Sequence, residues 1–204
     1  MTAPVGGMAG RRLSLLLALA LLPALALVGA CASNETSTPT PNPYLIPGTH
    51  AVEYRDEELG IGFSRPDDWS VTDPSETRGI VVSVESPDGS VTIDIERGSP
   101  PPQIDVMSYG SARMDFFQRA QPSLTVLEEI ETTLTDGTPA YRAEWVSRLE
   151  DAETSGETIV AFRGDGDERE AFLIISAGPT ALYRAWTGPI LFFQETLSLD
   201  PMAG

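Results

Sequence analysis

Lysine is missing from this chain: its basic residues are all arginine, 13 of them. Histidine occurs once, at His50, and cysteine once, at Cys31. Each absence removes a class of chemistry. Without lysine there is no G-x-x-x-x-G-K-[ST] phosphate loop. With one histidine and one cysteine there is no set of zinc ligands. A Ser-His-acid triad would have to be built on His50, and no serine sits in a G-x-S-x-G elbow. His50 itself reads as an exposed residue at a junction. A lone cysteine excludes an intramolecular disulfide. Positive charge is scarce beside 30 acidic residues, so there is no electrostatic footprint for nucleic acid. No apolar run is long enough for a comfortable membrane span. The longest, Leu13 to Val28, is broken by Ser14 and Pro23 and would be about 24 Å long as a helix.

What is present begins at that run. Residues 1–30 contain no acidic side chain, and Arg11-Arg12 precede the apolar stretch. A charged start, an apolar middle and small residues before a cut site are the anatomy of an export signal. The stretch ends in Val28-Gly29-Ala30-Cys31, which resembles the lipobox of bacterial lipoproteins. The resemblance implies a diacylglycerol on the Cys31 sulfur, cleavage before Cys31 and acylation of the new amino group. It places the protein outside the cytoplasm, anchored to the bacterial cell membrane by lipid. Each buried CH₂ of an acyl chain adds ~0.8 kcal/mol, so several chains hold a protein at the surface.

Removal of residues 1–30 leaves 174 residues with 11 basic and 30 acidic side chains, a net of −19. That length suits one domain and a linker. The charge repels anionic lipid, so the membrane contact expected is the lipid and not the domain. Residues 31–49 are rich in Ser, Thr, Asn and Pro, with Pro39, Pro41, Pro43 and Pro47. They read as a semi-extended stalk. The folded domain is expected over residues 50–204.

Alternation marks the strands. Ala51–Tyr54 and Ile61–Ser64 come first, then a turn at Pro66-Asp67-Asp68 before Trp69 and Val71. Ile80, Val82 and Val84 share one face; so do Val91, Ile93 and Ile95. Pro87-Asp88-Gly89 between them predicts a hairpin. Val106, Tyr109, Arg113, Phe116, Phe117 and Ala120 recur at helical spacing, with Asp105 as N-cap and Pro122 as stop. Strands follow over 124–134, 140–149, 157–163 and 169–177, with turns assigned to Asp136-Gly137, Gly156 and residues 164–167. The strand 169–177 is apolar on both faces and is expected to be central. Tyr183, Trp186, Ile190, Phe193 and Leu197 form a last helical stripe. Pro189 puts the main helix start near Gly188, after a loose turn.

The motif Gly62-Phe63-Ser64-Arg65-Pro66-Asp67-Asp68-Trp69, the segment Ala171 to Ser176 and the closing helix Ile190 to Leu199 resemble the PsbP/Mog1-like family. The resemblance implies an α+β fold: an α/β/α sandwich with a mostly antiparallel sheet of about six to seven strands and helices packed on it. Members of that family are extrinsic photosystem subunits, binders of small GTPases, or lipoproteins without an assigned role. None of their functional surfaces maps onto this sequence residue by residue.

The remaining candidates are carboxylates and aromatics. Asp56-Glu57-Glu58, Asp67-Asp68, Glu128-Glu129 with Glu131, Glu150-Asp151 with Glu153, and residues 165–170 are the acidic clusters, read as solvated hairpin tips. Asp165 and Asp167 are the one metal candidate, for Ca²⁺, although the spaced oxygens of an EF-hand are lacking. Phe117 and Phe192 each lie beside a better core position, and either could line a groove between helix and sheet. No cofactor and no catalytic residue is assigned. The function expected is a non-catalytic binding or assembly module acting on a protein partner. The alternatives are a small-ligand or Ca²⁺-binding lipoprotein and, after it, a paired-carboxylate hydrolase.

Overall fold

The structure is a computed structural model that describes residues 43–46, 48–72 and 79–199. The export signal, Cys31 and most of the stalk lie outside the described residues, as does the chain end at Asp200-Pro201.

Two strands, β1 (Ala51–Asp56) and β2 (Ile61–Pro66), pair antiparallel as a separate hairpin. The other seven form one sheet: β3 (Ser70–Thr72), β4 (Ile80–Glu85), β5 (Thr92–Gly98), β6 (Leu124–Thr133), β7 (Pro139–Leu149), β8 (Ala152–Arg163) and β9 (Glu170–Pro179). Their spatial order is β3-β4-β5-β9-β8-β7-β6, and every neighbouring pair is antiparallel. Two meanders therefore meet where β5 pairs with β9, and α1 (Val106–Ala120) is the crossover between them. The strand with two apolar faces, β9, is the middle one of the seven.

Alternation sorts the sheet residues onto two cores. One core holds Val82, Val84, Ile93, Ile95, Ile159, Ala161, Phe172 and Ile174. It is covered by the β1–β2 hairpin, through Ile61 and Phe63, and by α3 (Thr187–Thr196), through Ile190 and Phe193. The Phe63 and Phe193 rings meet at 4.5 Å. The other core holds Tyr141, Ala143, Trp145, Val160, Ala171 and Leu173 beneath α1. A carboxylate oxygen of Asp105 accepts from the Ser108 N–H at 2.8 Å and so caps α1. Gly110 lets α1 lie directly on Tyr141, since a Cβ there would sit 2.3 Å from the ring.

Two details depart from the pattern. The segment before Trp186 is a short helix, α2 (Thr180–Ala185), rather than a loose turn. Pro189 does fall in the first turn of α3, where its missing N–H is no loss. Gly156 is not in a turn. It lies buried inside β8, and the β7–β8 turn is Glu150-Asp151, with Glu150 at φ 54°. The Trp145 ring lies over Gly156, whose absent Cβ would be 2.2 Å from Cζ2. That glycine answers to close packing, not chain reversal.

The first described residues already pack on the domain. The Tyr44 hydroxyl donates to Glu195 of α3 at 2.8 Å. The C-terminal strap is fixed as well: Gly62 and Ser198 exchange backbone hydrogen bonds, and Asp136 accepts from Ser198 Oγ and the Leu199 N–H. Among the described residues no helix is long and apolar enough to cross a membrane.

Candidate functional site, a trough between the last helix and the sheet

The α3 layer covers only part of its face of the sheet. Beside it runs a trough in two lobes, about 300 and about 470 Å³. Both lobes are lined by Arg142, Leu191 and Gln194, so they adjoin along these three residues. The first adds Leu127, Glu144, Glu157, Tyr183 and Arg184 among others; the second adds Ile159 and Glu195.

Register builds the floor. On the antiparallel ladder Glu128 of β6 faces Glu144 of β7, and Glu144 faces Glu157 of β8. Directly opposed residues share a face, so the three glutamates form one row across three strands. Ser176 of β9 is the next position in that row. Like charges in direct opposition repel, and one guanidinium answers them. Arg142 Nε donates to Glu157 Oε2 at 2.7 Å, and Nη2 reaches Glu144 Oε1 at 2.8 Å. Gln194 Nε2 donates to the other Glu157 oxygen. Both Glu157 oxygens are thus engaged, and its side chain is only 7% exposed.

The electrostatics follow from that placement. Burial pushes the Glu157 pKa up, against the pull of Arg142. Burial works against the Arg142 charge, but the hydrogen bond to Glu157 and the charges of Glu157, Glu144 and Glu128 outweigh it and raise its pKa. Burial also raises the Tyr183 phenol, which pairs with Ser176 Oγ at 2.7 Å. Behind the exposed Glu128, the floor is a polar network in which Arg142, Glu144, Glu157 and Gln194 are held together, with Tyr183 on Ser176 beside them.

A second groove, about 300 Å³, lies on the opposite face between α1 and the sheet. Its walls are Phe117, Ala120, Leu124, Trp145 and Ile175, with Thr158 and Gln121 as polar groups. Trp145 Nε1 donates to Thr158 Oγ1 at 3.1 Å. Phe117 therefore lines a groove between helix and sheet, whereas Phe192 is buried within α3.

The other sequence candidates disperse. His50 is exposed and exchanges hydrogen bonds with Asp67 through its own backbone. Asp165 and Asp167 are exposed around the 3-10 turn Gly166–Glu168. Among the described residues no group of three or more His, Cys, Asp or Glu is placed to hold a metal ion. Asp165, Asp167 and Glu168 do form the β8–β9 hairpin tip, but one acidic cluster is not a tip and one residue of the 165–170 group lies in a strand. Glu128, Glu129 and Glu131 lie within β6, and Glu170 opens β9 and pairs with Arg163 at 2.5 Å. Glu157 and Arg142 stood in no sequence cluster. The available signal was position: Glu157 is two residues before Ile159, hence on the same face as Ile159 and Ala161.

The fold is a PsbP-like α/β/α sandwich. It superposes on the solution structure of the cyanobacterial PsbP protein CyanoP from Synechocystis with a TM-score of 0.57 at 12% identity, covering 72% of this chain and 91% of that one. It superposes equally, TM-score 0.57 and 12% identity, on the crystal structure of LpqN, involved in cell envelope biogenesis of Mycobacterium tuberculosis; 74% of this chain and 91% of that one are covered. No family model matches the sequence. No curated protein matches it either.

Proposed function

We propose that this protein is an exported lipoprotein, tethered through Cys31, whose PsbP-like domain is a non-catalytic binding or assembly module. The observation that carries the reading is the trough. It is open and large enough for a ligand or a peptide segment, yet its one buried carboxylate is committed on both oxygens to Arg142 and Gln194. A general acid or base must be free to reach a substrate proton; Glu157 is instead locked as scaffold. The lipobox-like Val28-Gly29-Ala30-Cys31 supplies the membrane tether. The involvement of LpqN in cell envelope biogenesis fits a module working at that location. The test is affinity capture of the mature chain from detergent-solubilised membranes. Repeated captures should recover one specific partner; recovery of none sinks the reading.

A second reading rests on the α1 groove. Its apolar walls with two polar groups have the character of a small-ligand pocket. Native mass spectrometry of the protein purified from its membrane should then show a bound species that Phe117→Ser removes. A Ca²⁺ titration followed by melting temperature examines the metal alternative at Asp165 and Asp167; no shift removes it.

A further inference from the structure

The row Glu128–Glu144–Glu157 has one guanidinium bonded to it, that of Arg142, which is spent on Glu144 and Glu157; Arg184 also lines the first lobe but makes no ion pair with the row. Glu195 adds another carboxylate at the far lobe. With Arg142 and Arg184 set against Glu128, Glu144, Glu157 and Glu195, the trough keeps a surplus of two negative charges on the part of this sheet face that α3 leaves uncovered. Beside the charge stands an apolar rim. Leu127 is the bulged residue of edge strand β6, between Val126 and Glu128, and is 64% exposed; Leu191 faces it from α3.

This pairing of features narrows the occupant. The chain's own stalk, residues 32–49, holds Glu35 and no basic residue, so it cannot neutralise the row. A second copy docked face to face would bring the same carboxylates. Anionic lipid and nucleic acid are repelled. A metal ion lacks a set of placed ligands among the described residues. Simple strand addition to β6 is blocked by the bulge, which breaks the edge ladder. A chain that offers cationic side chains beside apolar ones meets every requirement, and the two lobes give room for several residues.

We infer that the trough is the docking surface for an extended, cationic segment of a partner protein, which sets its basic groups against Glu128 and Glu144 and its apolar side chains against Leu127 and Leu191. The inference rests on the binding-module reading and names the surface and the chemistry of the partner.

The probe is an octapeptide of alternating leucine and arginine, titrated into the mature full-length chain in neutral detergent at low ionic strength and followed by fluorescence anisotropy. Saturable binding is expected, weakening as salt screens the charges. Glu128→Gln with Glu144→Gln should weaken it by about tenfold, the scale of two lost solvent-exposed ion pairs. Glu128→Gln alone, on an exposed edge position, should weaken it in the same direction while leaving the Arg142 hydrogen bonds to Glu144 and Glu157 in place. Glu57→Gln with Glu58→Gln removes as much charge from the turn after β1 and should change nothing. The inference is overturned by absence of binding, by equal weakening in the two double variants, by equal affinity for the leucine–glutamate octapeptide, or by spermidine binding as tightly as the peptide. Capture from membranes separates the two claims. A partner recovered equally by wild type and by the Glu128/Glu144 double variant overturns the trough while the binding module stands; no partner from either overturns both.

Discussion

Arg142→Ala should cost far more at neutral pH than at pH 4.5, and the difference should belong to Glu157. The substitution removes the cation that faces a carboxylate 7% exposed, leaving it only the Gln194 amide. Breaking one side of a buried pair costs roughly 3–5 kcal/mol while the other side stays charged. Arg142 is itself 28% exposed, so solvent screens part of the interaction and the low end, about 3 kcal/mol, applies at pH 7. Glu157 can escape by taking a proton, and burial already holds its pKa above the ordinary 4.5. A carboxyl whose folded pKa is raised keeps its proton longer when folded than when unfolded. Stability therefore falls as pH climbs from about 4.5 through the folded value. Loss of Arg142 lifts that folded value further and steepens the fall. At pH 4.5 what remains is lost packing of the arginine stem, on the order of 1 kcal/mol. Urea unfolding of the mature chain at both pH values measures this, provided the m-values agree. Adding Glu157→Gln to Arg142→Ala should restore about 2 kcal/mol at pH 7, because a neutral amide needs no counter-charge. An Arg142→Ala cost that is equal at the two pH values, or a Glu157→Gln that rescues nothing, would refute the reasoning.

Gly156→Ala places a methyl 2.2 Å from the Trp145 ring and 2.6 Å from the Ser176 carbonyl. Overpacking against backbone should cost about 2–3 kcal/mol in the urea midpoint and change the near-ultraviolet circular dichroism of Trp145. Asp136→Asn should weaken the C-terminal strap by about 1–2 kcal/mol at pH 7, since the carboxylate accepts from Thr138, Ser198 and Leu199. Burial raises the Asp136 pKa, but those hydrogen bonds outweigh it and hold it below the ordinary 3.8; its contribution is present above that pH and is lost as pH falls through the lowered value, so acid unfolding profiles of wild type and variant should converge there. Cys31→Ser should release the protein from the membrane fraction and abolish labelling by radioactive palmitate while leaving the urea midpoint unchanged. Retained label and membrane binding would remove the tether from the proposal.

Strand faces were legible because alternation is a local property. Val91, Ile93 and Ile95 point inward in the chain and in the fold, and β9 is central for the reason its two apolar faces suggest. The N-cap of α1 and the place of Pro189 were legible because caps and proline act within one turn. What was not legible depends on which strand lies beside which. Gly156 looks like a turn residue until Trp145 is set over it. The three glutamates of the trough are spaced 16 and 13 residues apart and carry no common pattern. Only the pairing of β6, β7 and β8, with the bulge at Val126/Glu128 that sets the β6 register, aligns them.

The two faces of the sheet are closed differently, and that difference creates the trough. On one face Gly110 lets α1 press onto Tyr141, and the helix lies across β6, β7 and β8. On the other, the β1–β2 hairpin and α3 cover the β4, β5, β9 and β8 side through Ile61, Phe63, Ile190 and Phe193, which leaves the β6–β7 flank bare. Glu157 sits at the boundary, near enough to α3 to be buried by it and near enough to the bare flank to meet Arg142. The same helix receives the end of the stalk: Tyr44 bonds Glu195, which lines the far lobe. The spacer left between Cys31 and Tyr44 is residues 32–43, a stretch that reaches at most about 47 Å at ~3.6 Å for each of the thirteen steps. If Cys31 is acylated as proposed, that length bounds how far Tyr44, beside the trough, can stand from the lipid-bearing residue. A partner docked in the proposed trough would then have to present its cationic segment close to the membrane surface, not at the far end of a long tether.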